Sequence, residues 1–250
     1  MNREQYRKIF HAESEQKLAQ ASQHLSWLLT RHYTLESGLK LVGDRFRLNK
    51  TARHALKRAV CSDQSLQIRL QKQLVASDLH KQDIWIDGFN LLITVERALR
   101  GDPIICCRDG VMRDIAGVHG TYRKGRNTLH AFQLIEYGLK QLEVAHVHWL
   151  FDQPVSNSGK VAQTARTYGT AEVVADPDKV LIELDSDAIV ISGDGVILEK
   201  SLRWFNLSSF LMKQMWPHYK TLPLSFSSDH YEEELWVLDL SDLHIQKYAD

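Results

Sequence analysis

Three short apolar runs in this chain end on an aspartate, and stretches of helical periodicity separate them. Ile84-Trp85-Ile86 runs into Asp87, Val147-His148-Trp149-Leu150-Phe151 into Asp152, and Ala188-Ile189-Val190-Ile191-Ser192-Gly193 into Asp194. Further strand candidates lie at Ile104 to Cys107, Ala171 to Ala175 and Trp204 to Leu207. Helical spacing marks Leu91 to Leu99, Ala131 to Leu142 (with Phe132, Ile135 and Leu139), Val161 to Tyr168 and about Ser208 to Met215. Strands that alternate with helices leave few arrangements: a mostly parallel sheet flanked by helices on both faces, an α/β fold. Residues 109–124 read as a short helix and loop. After Pro217, Glu232 to Glu234 reads as an acidic turn and Leu235 to Leu240 as an added edge strand.

The first 80 residues have another texture. They contain no proline and read as helical throughout, with Leu25, Leu28, Leu29 and His32 at helical spacing and Thr51 as the cap of a helix carrying Ala55, Leu56, Ala59 and Val60. The expected organisation is a helical domain over 1–80 and an α/β domain over 81–250. Charge follows the same division. The whole chain is neutral, yet residues 1–80 hold 14 Lys+Arg against 7 Asp+Glu, and residues 81–250 hold 17 against 24. Such asymmetry speaks about partners rather than fold. Arg45, Arg47, Lys50, Arg53, Lys57 and Arg58 are concentrated in one stretch of the head, as a solvated helix face or a phosphate-contacting surface.

Carboxylates at strand ends carry the chemical signal. In an open parallel sheet the functional crevice lies beyond the carboxyl ends of the strands. A lone Asp there is usually a turn former or a helix cap. Three together repel one another unless a cation or a proton intervenes. Mg²⁺ or Mn²⁺ is the expected answer, because a hard divalent cation takes carboxylates, waters and substrate phosphate as ligands. Asp178 is the candidate fourth carboxylate, while Asp185 and Asp187 read as the turn before Ala188. Ser156 or Asn157 is expected to cap the helix after Asp152, and Lys160 to add charge to an anion grip at its N-terminus.

Other motifs fail. Gly159-Lys160 lacks the rest of a P-loop, no GxGxxG follows the first strand, and His146 and His148 have no third ligand. The three cysteines, Cys61, Cys106 and Cys107, form neither a CxxC pair nor a disulfide framework and read as buried thiols. No apolar stretch is long enough to span a membrane, and the polar N-terminus lacks a signal-peptide core, so no membrane partner is expected and the expected location is cytoplasmic.

The order Asp87-Gly88-Phe89-Asn90-Leu91, Phe151-Asp152, Ile191-Ser192-Gly193-Asp194 resembles the acidic signature of PIN-like nucleases, particularly the NYN subgroup. Across more of the chain, Leu41-Val42-Gly43-Asp44-Arg45-Phe46-Arg47-Leu48, Ile86 to Asn90, Arg108-Asp109-Gly110, Val118-His119-Gly120-Thr121-Tyr122-Arg123 and Asp152 to Gly159 resemble the prokaryotic domain of unknown function 434 family. In that family a helical N-terminal domain precedes a PIN-like domain. The PIN-like resemblance implies Asp87, Asp152 and Asp194 as metal ligands, Asn90 as an orienting residue, and Asp178 at the acidic position before the last core strand, although the usual Glu-Thr-Ala-Asp string is absent. Asp109 and Asp114 are expected either to join the cluster from a second layer or to pair with Arg108 and Arg113. Arg45, Arg47, Lys50, Arg53, Arg108, His119, Tyr122, Arg123, Ser156, Asn157 and Lys160 are the expected nucleic-acid contacts, by phosphate pairing and stacking.

The expected activity is metal-dependent endoribonuclease cleavage at the acidic cluster, with RNA preferred by resemblance and DNA as the alternative. Two other readings stay open: a catalytically weak PIN-like module that binds RNA or a protein, and a different phosphate-handling hydrolase. Self-association into a homo-oligomer is also open.

Overall fold

The computed structural model describes residues 1–115, 122, 125, 127–217 and 235–241. Five helices open the chain: α1 (Arg3–Ile9), α2 (Ala12–Thr30), α3 (Leu35–Arg45), α4 (Lys50–Ala59) and α5 (Asp63–Lys72). Their starts follow the preference for side-chain oxygens that satisfy free N–H groups. Thr34 accepts from Ser37 at α3, Asn49 from Ala52 at α4 and Ser62 from Ser65 at α5. Asn49, rather than Thr51, therefore caps α4, because the amide side chain stands one residue ahead of the first helical position.

From there the chain alternates: β1 (Gln73–Leu74), β2 (Asp83–Asp87), α6 (Gly88–Leu99), β3 (Ile104–Cys106), β4 (Met112–Asp114), α7 (Asn127–Gln141), β5 (His146–Asp152), α8 (Ser158–Ala165), β6 (Thr170–Val174), α9 (Pro177–Ile182), β7 (Ile189–Ile191), α10 (Gly195–Lys200), β8 (Trp204–Phe205), α11 (Leu207–Phe210) and β9 (Val237–Asp239). A π-helical turn over Leu211–Met215 continues α11. Six of these strands form a sheet in the order β1-β8-β7-β2-β5-β6, with every pairing parallel. The expected α/β fold is present: a helical N-terminus, then a parallel sheet flanked by helices.

Alternating side chains serve both faces of that sheet, as the strand period of two requires. Ile84, Ile86, Trp149, Phe151, Ile189 and Ile191 pack with residues of α6, α7 and α8. Trp85, Leu150, Val190 and Trp204 pack on the other face with Leu181 of α9 and Ile197 and Leu198 of α10. Topology then fixes where a crevice can open. The chain leaves β2 for β5 and β6 on one side, then returns to lay β7 on the other side of β2. Loops at the carboxyl ends of β2, β5 and β7 therefore diverge, which makes this the switch point of the sheet.

Three parts of the sequence reading change. The head is not helical to its end, because Gln73–Leu74 adds to the main sheet beside β8 and a 3₁₀ turn follows at Ala76–Leu79. Ile104 to Cys106 is a strand, but it belongs to a second sheet, β4-β3-β9. Residues 112–114, expected as helix or loop, are its antiparallel strand β4, reached through a turn in which Gly110 has φ +74°. Two-residue and three-residue strands are too short for periodicity to register. This small sheet joins the head to the body. Ile104 and Cys106 face the main core, whereas Ile105 and Cys107 pack with Leu18, Leu25, Leu56 and other head residues. The edge strand expected within Leu235 to Leu240 is β9, parallel to β3. Glu232 to Glu234 lie outside the described residues. The three cysteines are free and buried, and no described helix is long and apolar enough to cross a membrane.

Candidate acidic active site

Asp87 is the last residue of β2 and stands at the start of α6, without capping that helix through its side chain. The turn is tight because Gly88 packs directly on β5. A Cβ there would lie 2.4 Å from the Phe151 ring and 2.7 Å from the Leu150 carbonyl oxygen, so glycine is required by space rather than by φ. Asp152 ends β5. Asp194 follows β7 and caps α10, its Oδ1 accepting from the Val196 and Ile197 N–H groups. Asp178 lies in the first turn of α9. All four line one cleft of about 230 Å³, together with Arg58, Phe89, Asn90, Ile93, Asp114 and Val155.

Hydrogen bonds fix the floor of this cleft. Ser192 Oγ donates to Asp87 Oδ2 at 2.8 Å and accepts from the Asp194 N–H at 3.0 Å, coupling the ends of β2 and β7. Asn90 Oδ1 accepts from the Gly193 N–H at 2.7 Å, and Arg113 Nε donates to the Gly193 carbonyl. The backbone of Gly193 is therefore held at both its N–H and its carbonyl. A Cβ at Gly193 would meet Asn90 Oδ1 at 2.6 Å, so the grip also requires a glycine.

Among the described residues, five carboxylates share this space with one guanidinium. Burial pushes the Asp87 carboxyl up to about 7; the Ser192 hydroxyl pulls it back, while Asp178 and Asp152 push it further up. Desolvation also raises Asp152, with help from Asp176, and raises Asp178, with help from Asp194, Asp152 and Asp176. Burial is the leading cause at all three carboxyls, and neighbouring carboxylates add to it. Among the described residues, no three His, Cys, Asp or Glu side chains converge into a formed metal cage. The donor set nevertheless fits a hard divalent cation: it is all oxygen, and a buried carboxylate gives up its proton more readily when a cation is present.

Sequence reasoning brought Asp87, Asp152, Asp194, Asp178 and Asn90 to this place, and the structure brings them together. Asp114 joins them in the cleft, whereas Asp109 does not. Asp109 is buried and pairs with Arg113 at 2.7 Å and with Arg69 at 2.6 Å, rather than with Arg108. Arg108 is committed to Asp63 and the Cys61 carbonyl. Tyr122 is buried, tilted on Phe89, with its hydroxyl bonded to Glu96 and Thr128; its ring is a packing element and offers no exposed stacking face. His119 and Arg123 lie outside the described residues.

Arg45 and Arg47 are exposed and line a groove on the head with Lys8 and Lys17, apart from the acidic cleft. Lys50 is exposed, and Arg53 is tied to Asp44 and the Leu48 carbonyl. Ser156, Asn157 and Lys160 are exposed beside Val155 at the cleft's edge. Asn157 stands at the head of α8 with φ 67°, but no side chain caps that helix; its amide donates to the Tyr122 carbonyl instead. Sequence reasoning missed Arg58 and Ser192 as site members and Arg113 as their support. Ser192 was within reach, since it sits inside the strand-end string, but nothing local marks which of six head cations crosses to the body.

Comparison with known proteins adds family relationships without an activity. The model for a domain of unknown function (DUF5616) matches residues 76–210, and that for a protein of unknown function (DUF434) matches residues 17–72. The string Leu41 to Leu48 lies in the latter, whereas the strings from Ile86 onward fall in the former. Uncharacterized protein MJ0935 of Methanocaldococcus jannaschii is 27% identical over 186 residues, covering 73% of this chain and 89% of that protein. No solved structure matches the chain.

Proposed function

The chain belongs to the family of the DUF5616 domain, with a DUF434 segment ahead of it, and from that premise we propose that it is a metal-dependent phosphodiester hydrolase acting on RNA. One observation carries the reading. Carboxylates from the ends of three parallel strands and from α9 line a single cleft at the switch point of the sheet, and the buried one has its proton held up to about 7. Support for a PIN-like, NYN-like assignment, and for RNA over DNA, comes from the resemblance of the Asp-Gly-Phe-Asn, Phe-Asp and Ser-Gly-Asp strings.

Asp87, Asp152 and Asp194 would hold Mg²⁺ or Mn²⁺, with Asp178 at the rim. Such a cation, when bound, activates water and offsets charge on the phosphate under attack. The chain's own residues prepare for this. Ser192 orients the Asp87 carboxyl through Oδ2, and the first N–H groups of α10 orient Asp194 through Oδ1. Asn90 fixes the turn that carries Asp194 and sets the spacing between β2 and β7. Arg45, Arg47 and Lys50 on the head supply sequence-independent attraction for a polyanion.

A catalytically weak RNA- or protein-binding module is the second reading, favoured by the lack of a formed cage among the described side chains. Incubating the full chain with labelled single-stranded RNA in Mn²⁺, Mg²⁺ or EDTA separates the two. Metal-dependent cleavage, reduced by about a hundredfold or more in Asp87→Asn with RNA binding retained, is the expected result. RNA binding without metal-dependent cleavage in the wild type overturns the hydrolase and leaves the module.

A further inference from the structure

The acidic cleft contains a cation that the body of the protein does not supply. Arg58 belongs to α4 of the head and, among the described residues, is the Lys or Arg that lines the cleft. Its Nε donates to the Asp114 carbonyl at 2.8 Å, and one terminal nitrogen donates to Asp114 Oδ1 at 3.2 Å. A guanidinium has five N–H donors in a fixed planar fork. Asp114 takes two, and the Arg58 side chain is still 26% exposed whereas that of Asp114 is 5% exposed. Asp114 thus anchors the fork through its backbone carbonyl and Oδ1, while part of the Arg58 side chain stays exposed.

We propose that Arg58 is the phosphate-binding residue of the cleft, so that the head completes the active site as well as attracting the polymer. This rests on the hydrolase reading and extends it. A phosphodiester entering among Asp87, Asp152, Asp178 and Asp194 meets repulsion, and a cation lining the same cleft offsets part of it. Arginine suits that task better than lysine, because its fork pairs with two phosphate oxygens at once. The bond to Asp114 holds the fork before substrate arrives, which lowers the ordering cost of binding. The ligand class is the phosphate backbone, so Arg58 discriminates by charge and geometry and not by base.

Removing Arg58 alone leaves Asp114 buried without this partner, so two variants are needed. Arg58→Lys keeps the charge and loses the fork; Arg58→Met combined with Asp114→Asn removes both charges together. Steady-state cleavage of single-stranded RNA in Mn²⁺ is measured, with RNA anisotropy and thermal melting alongside. Both variants are expected to raise KM about tenfold, the scale of one charge-assisted hydrogen bond, with Mn²⁺ dependence unchanged. Variants that bind and cleave like the wild type, with only a lower Tm, would show that Arg58 is a structural partner of Asp114 and overturn the proposal. If the wild type binds RNA in Mn²⁺ without cleaving it, and Arg58→Lys weakens that binding about tenfold, the hydrolase falls and the phosphate contact stands. If the wild type neither binds nor cleaves RNA, both fall.

Discussion

At the scale of single residues, the chemistry turns on Asp87. It is buried, bonded by Ser192 and close to other carboxylates, and its proton is held up to about 7 against an ordinary value of 3.8. A carboxyl whose pKa is raised by folding binds its proton more tightly in the folded state. Its contribution is therefore fully favourable below the unfolded value, and stability is lost as pH climbs from about 4 to about 7. Asn imitates the protonated acid, since its amide oxygen can still accept from Ser192. In EDTA, Asp87→Asn is accordingly expected to be more stable than the wild type at pH 8, by up to about 4 kcal/mol, with the gap closing toward pH 4. Urea unfolding at the two pH values checks this; a variant less stable than the wild type at pH 8 would mean that the Asp87 carboxylate is well compensated without metal. This residue was legible in the sequence because everything that marks it is consecutive: an apolar run, an Asp, then the Gly and Asn of the turn.

At the scale of elements, the cleft depends on supports that lie outside it. The β3–β4 turn carries Asp109, which receives two hydrogen bonds from Arg113 and one from Arg69 of α5. Arg69 also reaches Glu199 of α10, and Arg113 reaches the Gly193 carbonyl. Burial alone would push the Asp109 carboxyl up; Arg113 and Arg69 overcome that and hold it down to about 2. Asp109→Asn leaves two largely buried guanidinium groups undercompensated, and a loss of about 3–5 kcal/mol in unfolding free energy is expected. Denaturant unfolding at pH 7 measures it, and a change below about 0.5 kcal/mol, the ordinary range of surface substitutions, would contradict the account. Only the Asp109–Arg113 pairing was legible, as one of two alternatives; the rest of the network was not. Arg69 and Asp109 are 40 residues apart and Arg113 and Gly193 are 80 apart, and β4 is three residues long with two buried charged residues, Arg113 and Asp114. Binary patterning fails where buried charges satisfy one another.

At the scale of the whole molecule, the neutral total hides a division of labour. The basic head and acidic body were legible from counting alone, and the parallel sheet from the alternation of runs. The small sheet was not: its described strands have three residues each, and its two faces pack on different halves of the protein. Because that sheet lies between the halves, Arg58 can reach from α4 to Asp114 and stand in the cleft. The division makes physical sense if the carboxylates await a divalent cation and the head awaits phosphate. Calorimetric titration of Mn²⁺ into the metal-free chain at pH 6.5 tests this most directly. Saturable binding with proton release is the expected result, since Asp87 must surrender its proton, and both should vanish in Asp87→Asn and weaken in Asp152→Asn. Absence of binding in the wild type, or binding undiminished by Asp87→Asn, would contradict a metal site at the strand ends.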